Sequence, residues 1–201
     1  MTAIFGYKKP LGHDEAYWYG KIGGHDRKFV RVLCGVALPI LDRMSGAAVV
    51  IAETFHKTQT QDLWCVAATV GRWPQLENSL IEYREKLKFD HIICDIEQAR
   101  PILMRIPQLW FGLHDIPLCT DVGPEYSCSE VGQSRVNQLI LEGRLHGFSK
   151  NDDFYHILSD EAEQGMKALC AVICWANDLP AIYNTKKPQP RMGRVLGIEG
   201  L

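Results

Sequence analysis

Apolar positions fall into runs whose spacing changes along the chain. Phe29 to Leu38 reads Phe-Val-Arg-Val-Leu-Cys-Gly-Val-Ala-Leu, an apolar, β-branched run stopped by Pro39, and predicts a strand. Ala47 to Thr54 and Leu63 to Val70 predict a second and a third, and the polar connection Phe55–Asp62 predicts that they pair as a hairpin. Both runs are apolar at odd and even positions, as expected of strands covered on both faces. Pro74 then suits the first turn of a helix whose Leu76, Leu80, Ile81, Tyr83 and Leu87 share one face. Glu77, Glu82, Arg84, Glu85 and Lys86 solvate the other face. His91 to Ile96 predicts a short, buried fourth strand.

Farther on the pattern loosens. Pro101 to Ile106 predicts a helical turn or two, Trp110 to Leu113 a fifth strand, and Ile116 to Ser129, flanked by Pro117 and Pro124, a loop. Glu130 to Leu145 predicts a helix on Val131, Val136, Leu139 and Ile140. Asp160 to Asn177 predicts a long helix on Met166, Leu169, Cys170, Ile173 and Cys174, with Ser159 as its cap. Three strands, then helix, strand, helix and strand, describe an α/β domain: a mixed β-sheet flanked by helices. The expected organisation is an N-terminal extension (1–28), an α/β core (29–179) and a basic C-terminal tail (180–201).

Composition narrows the class. The chain has 201 residues, 46% of them hydrophobic and 23% charged, which excludes wholesale disorder and suits one domain. A formal net charge of −2 excludes a strongly basic nucleic-acid coat while leaving room for a local basic patch. No apolar run reaches a membrane span, and the first ten residues carry no secretory h-region. Of seven cysteines, Cys34, Cys65, Cys94, Cys170 and Cys174 sit in apolar contexts, and no C-x-x-C pair occurs. That usage predicts a reducing, cytoplasmic compartment.

The candidate chemistry centres on carboxylates. The segment Phe89-Asp90-His91-Ile92-Ile93-Cys94-Asp95-Ile96-Glu97 ends an interior strand in two acids, and Glu97 shares a side with Asp95 if the strand continues. Asp95 also suits a cap for the next element, and Glu97 suits surface pairing with Arg100 or Arg105. Gly-His-Asp occurs at 12–14 and again at 24–26, as turn chemistry or as metal donors. Cys119 and Cys128, with His114 or His146 as base, would be the residues of a thiol mechanism. Neither a phosphate-binding glycine loop nor Gly-x-Ser-x-Gly is present.

The element order, with Asp95 after the fourth strand, resembles the ribonuclease H-like fold over roughly residues 29–177. Within it the chain looks nearest to the nuclease domains of phage terminase large subunits and, more distantly, to Holliday-junction resolvases. The resemblance implies phosphodiester hydrolysis assisted by Mg²⁺ or Mn²⁺, with Asp95 and Glu97 as ligands and Asp153, Asp160 or Glu163 as the late-helix acid. One departure stands out. The family's first strand carries an aspartate, whereas Cys34-Gly35-Val36-Ala37-Leu38 holds no acid, and none follows until Asp42. Either the site is incomplete or another acid substitutes; Glu53, near the end of the second strand, is one substitute, giving Asp95, Glu97 and Glu53 as the catalytic set, and the C-terminal segment is another. Val195-Leu196-Gly197-Ile198-Glu199-Gly200 is similar to the first-strand motif of resolvases but lies at the other end of the chain.

Lys186, Lys187, Arg191 and Arg194 form an acid-free basic arm that suits phosphate contacts or a solvated linker. Tyr17-Trp18-Tyr19 could stack on bases or anchor the N-terminal segment. The partners expected are thus nucleic acid or another protein, not a membrane. A chain of the same fold that binds or assembles without catalysis is the alternative, and the missing first-strand aspartate favours it.

Overall fold

A computed structural model describes residues 4–8, 17–22, 24–38, 45–54, 62–87, 89, 91–95, 106, 119–122, 130–148, 154–158 and 163–178. The strands are β1 (Ile4–Lys8), β2 (Tyr17–Ile22), β3 (His25–Ala37), β4 (Gly46–Thr54), β5 (Asp62–Gly71), β6 (His91–Asp95), β7 (Cys119–Val122) and β8 (Leu145–His146). The helices are α1 (Trp73–Leu87), α2 (Glu130–Leu141) and α3 (Glu163–Asp178), with a 3₁₀ turn at Tyr155–Leu158.

All eight described strands join one sheet. Its spine runs β5-β4-β3-β6-β7, with β4 antiparallel to both neighbours and β6 parallel to β3 and β7. This is the mixed sheet expected from the resemblance to the ribonuclease H-like fold. β8 adds a short parallel partner to β5 at Leu63 and Trp64.

The long β3 divides its edge between two partners. His25 to Phe29 pair with β2 in a hairpin, and Leu33 to Gly35 pair with β6. The turn of the hairpin uses Gly24 at φ 84°, a conformation that favours glycine. The N-terminal segment therefore contributes β1, β2 and the start of β3 to the central sheet, across the boundary expected at residue 28.

Alternation along β3 builds two cores. Val32, Cys34 and Val36 face α1, meeting Leu76, Leu80 and Leu87 together with Val50 and Ile92. Leu33 and Ala37 face the other way, with Val49, Ile51 and Ile93, onto Val136 and Leu139 of α2 and Leu169, Val172 and Ile173 of α3. Every residue of β4 is buried, which explains why that strand reads as apolar at odd and even positions alike. Each of its Val and Ile side chains contributes about 1.5–3 kcal/mol on burial.

Two glycines position the helices. A Cβ at Gly35 would stand 2.1 Å from the Ala168 carbonyl oxygen, so α3 rests directly on β3 there. Gly143, at φ 68°, ends α2: its amide donates to Ile140 O and that of Arg144 donates to Leu139 O, a Schellman closure.

β3, β4, β5, α1 and β6 lie within a few residues of the sequence-predicted bounds, while α2 stops at Leu141 rather than Leu145. The stretch expected to be a loop contains β7, which pairs in parallel with β6. Trp110 to Leu113 and the tail from 180 lie outside the described residues. None of the described helices is long and apolar enough to cross a membrane.

Candidate functional site

Open sheets with parallel strands bind ligands beyond the carboxyl ends of those strands. Here β3, β6 and β7 run in parallel, and Asp95 is the last residue of β6. The register sets Asp95 beside Val122 of β7, with Asp121 one step earlier beside Cys94. Continued from the Gly35–Ile93 pair, it brings Asp95 level with Ala37 of β3. Asp121 was missed in the sequence because Cys-Thr-Asp-Val is short, non-alternating and set between prolines.

The opposite flank of this end is formed by the first turn of α3. Ala168 lies against Gly35, and Arg31 Nη2 donates to Ala176 O at 2.9 Å, so α3 runs antiparallel to β3. Its N-terminus consequently points toward the carboxyl end of β3. Gln164 is buried in that turn, whereas Glu163 is exposed and bonded to Lys167 at 2.6 Å. The Lys167 hydrogen bond, then its charge, holds the Glu163 carboxyl below the usual carboxylate range. Asp160 precedes this turn and lies, with Glu97 and Asp153, outside the described residues.

Glu53 is placed elsewhere. It is fully buried and paired in register with Arg31, and the two side chains form an ion pair. The Arg31 guanidinium also lies 5.1 Å from the centroid of Trp175, whose ring lies 5.0 Å from that of His91. From Arg31 to Ala37 is six residues of strand, or about 20 Å at a rise of about 3.3 Å per residue. Glu53 lies beside the middle of β3 and Asp95 level with its carboxyl end, and the structure does not bring them together as one catalytic set. A buried carboxylate needs a partner, and Arg31 supplies it.

The first-strand departure also has a physical form. Gly35 is closed off by the backbone of α3, and Ala37 is buried, so the described part of β3 offers no acid toward Asp95. Among the described residues no three His, Cys, Asp or Glu side chains converge to hold a metal ion. The described residues do not by themselves fit a two-ion centre.

Of the thiol candidates, His114 and Cys128 lie outside the described residues, and His146 is placed at β8. It stacks on Trp64 at 3.9 Å and lies 3.9 Å from Asp62. Arg27 covers Trp64 at 4.1 Å from its centroid. Cys34, Cys65, Cys94, Cys170 and Cys174 are buried, in keeping with core packing.

No protein-family model matches the chain, and no curated protein matches it. Among solved structures it is similar to the Holliday junction resolvase of fowlpox virus, at 12% identity and a TM-score of 0.45, covering 73% of this chain and 98% of that one. It is also similar to the fowlpox virus resolvase in complex with Holliday junction DNA, at 17% identity and a TM-score of 0.40, covering 69% and 94%.

Proposed function

We propose that this chain acts on nucleic acid, hydrolysing phosphodiester bonds at the carboxyl end of β3, β6 and β7. The observation that carries the reading is Asp95, an acid ending the parallel strand next to the centre of a ribonuclease H-like sheet. Glu97, Asp153 and Asp160 would complete the acidic set, and a bound Mg²⁺ or Mn²⁺ would offset charge on the phosphate oxygens. Lys186, Lys187, Arg191 and Arg194 would contact the backbone of the substrate. A kinship to phage terminase nucleases belongs to this reading.

A second reading is favoured by Gly35 and Ala37. With neither position of β3 carrying an acid, the same scaffold would bind nucleic acid or a protein without cleaving anything.

Mn²⁺ calorimetry on the wild type and Asp95→Ala, followed by cleavage assays on single-stranded, duplex and four-way-junction DNA, separates them. Hydrolysis requires metal binding and cleavage in the wild type, both abolished in the variant. A wild type that takes up no millimolar Mn²⁺ and leaves every substrate intact overturns it in favour of binding alone.

A further inference from the structure

One polar side chain is buried near the carboxyl end of β3 without a partner. Gln164, in the first turn of α3, is 7% exposed, and its carboxamide is hydrogen-bonded to no other described residue. Leaving a buried amide unbonded costs stability, so its place calls for a reason other than packing. Two contacts fix that place. Ala168 rests on Gly35, and a Cβ at Gly165 would stand 2.6 Å from Cγ2 and 2.8 Å from the carbonyl oxygen of Ile157. The first turn of α3 is thus clamped between β3 and the 3₁₀ turn. Gln164 is one helical turn before Ala168 on the same face, an advance of about 6 Å. Two residues of strand cover about the same length. Because α3 runs antiparallel to β3, Gln164 stands at the level of Ala37, the residue level with Asp95. Helical side chains lean toward the helix N-terminus, here toward the end of the sheet where β6 stops at Asp95.

We propose that Gln164 and the N-terminal turn of α3 form a phosphate-binding subsite at the Asp95 end of the sheet, taking a non-bridging oxygen of the nucleic-acid backbone. A helix N-terminus offers amide hydrogens not used within the helix, together with the positive end of its dipole. The carboxamide adds a neutral donor from the side that faces the sheet. Glu163, the acid of the same turn, is exposed and bonded to Lys167 at 2.6 Å, so its charge is offset. The subsite rests on the nucleic-acid reading above and deepens it by naming a group that holds the backbone where hydrolysis would occur.

The test is fluorescence anisotropy of a labelled single strand, duplex and four-way junction with the full chain in EDTA, so that no cleavage is involved. The wild type binds at least one of the three. Gln164→Leu keeps the bulk and removes the donor, and it weakens that binding about tenfold, as expected for a hydrogen bond to a charged group. Its Tm stays at or above that of the wild type, since an apolar side chain replaces an unbonded amide. Gln164→Glu, nearly identical in shape, binds more weakly still at about pH 8, and its deficit relative to the wild type shrinks as pH falls toward about 5 and the introduced carboxyl takes up a proton. Equal binding by the wild type and Gln164→Leu, a lowered Tm in Gln164→Leu, or a deficit in Gln164→Glu that does not change with pH overturns the subsite and leaves the nucleic-acid reading in place. A wild type that binds none of the three overturns both. Hydrolysis is tested separately, by cleavage with Asp95→Ala in the presence of metal.

Discussion

Gly35 and Ala168 meet backbone to backbone: a Cβ on the glycine would lie 2.1 Å from the alanine's carbonyl oxygen and 3.1 Å from Cβ of Val172. The φ of Gly35 is not positive, so its small size, not its flexibility, is what the site requires. Gly35→Ala must lift α3 off the sheet. The expected loss is at least about 1–3 kcal/mol, the cost of overpacking a filled core, read as a lower urea midpoint. An unchanged midpoint would mean that α3 is not seated on β3 in this way.

The Arg31–Glu53 pair makes a different prediction. Arg31→Met removes the ion-pair partner of a fully buried carboxylate and is expected to cost about 3–5 kcal/mol. Adding Glu53→Gln should recover part of that loss, since the uncompensated charge goes too. Chemical denaturation of both single variants and the double variant measures the coupling. Glu53→Gln should leave any Mn²⁺ affinity of the Asp95 end intact, because about 20 Å of β3 separates the two acids.

Tyr83 predicts an alkaline limit. Burial, then the neighbouring Cys34, Cys65 and Glu82, pushes its hydroxyl from 10.0 up to about 12. Its folded pKa is raised, so its contribution to stability is fully present below pH 10.0 and is lost as pH rises toward about 12, while the unfolded chain gives up its proton first. Tyr83→Phe should therefore melt with a shallower decline than the wild type over the interval from pH 10.0 toward about 12. Parallel Tm profiles would show that the tyrosine is not buried in this manner.

Gly143 closes α2 in a left-handed conformation, and nothing lies within 4 Å of where its Cβ would be. Gly143→Ala thus meets a backbone penalty and no clash, about 1 kcal/mol. It should lower Tm by a few degrees with an unchanged far-ultraviolet spectrum. A loss as large as that of Gly35→Ala would contradict the open space beside this glycine.

What could be read from the sequence depended on where the burial pattern is simple. β4 is buried throughout and β3 over its second half, so their apolar runs marked them plainly. β1 and β2 are held by hairpin pairing, and their mixture of glycine, lysine and aromatic residues carries no comparable run. β7 has only four residues. Glu53 looked available as a metal ligand because a linear sequence does not reveal its cross-strand neighbour; Arg31, 22 positions earlier, accounts for its burial. Asp95, by contrast, was placed correctly at the end of β6 because a short apolar run between polar residues fixes a strand end from local information.

The division of β3 between β2 and β6 also makes that strand a ruler. From Lys28 to Ala37 is nine residues of continuous strand, about 30 Å. Whatever binds at the Asp95 end therefore lies at a fixed distance from the hairpin, because a single strand carries both.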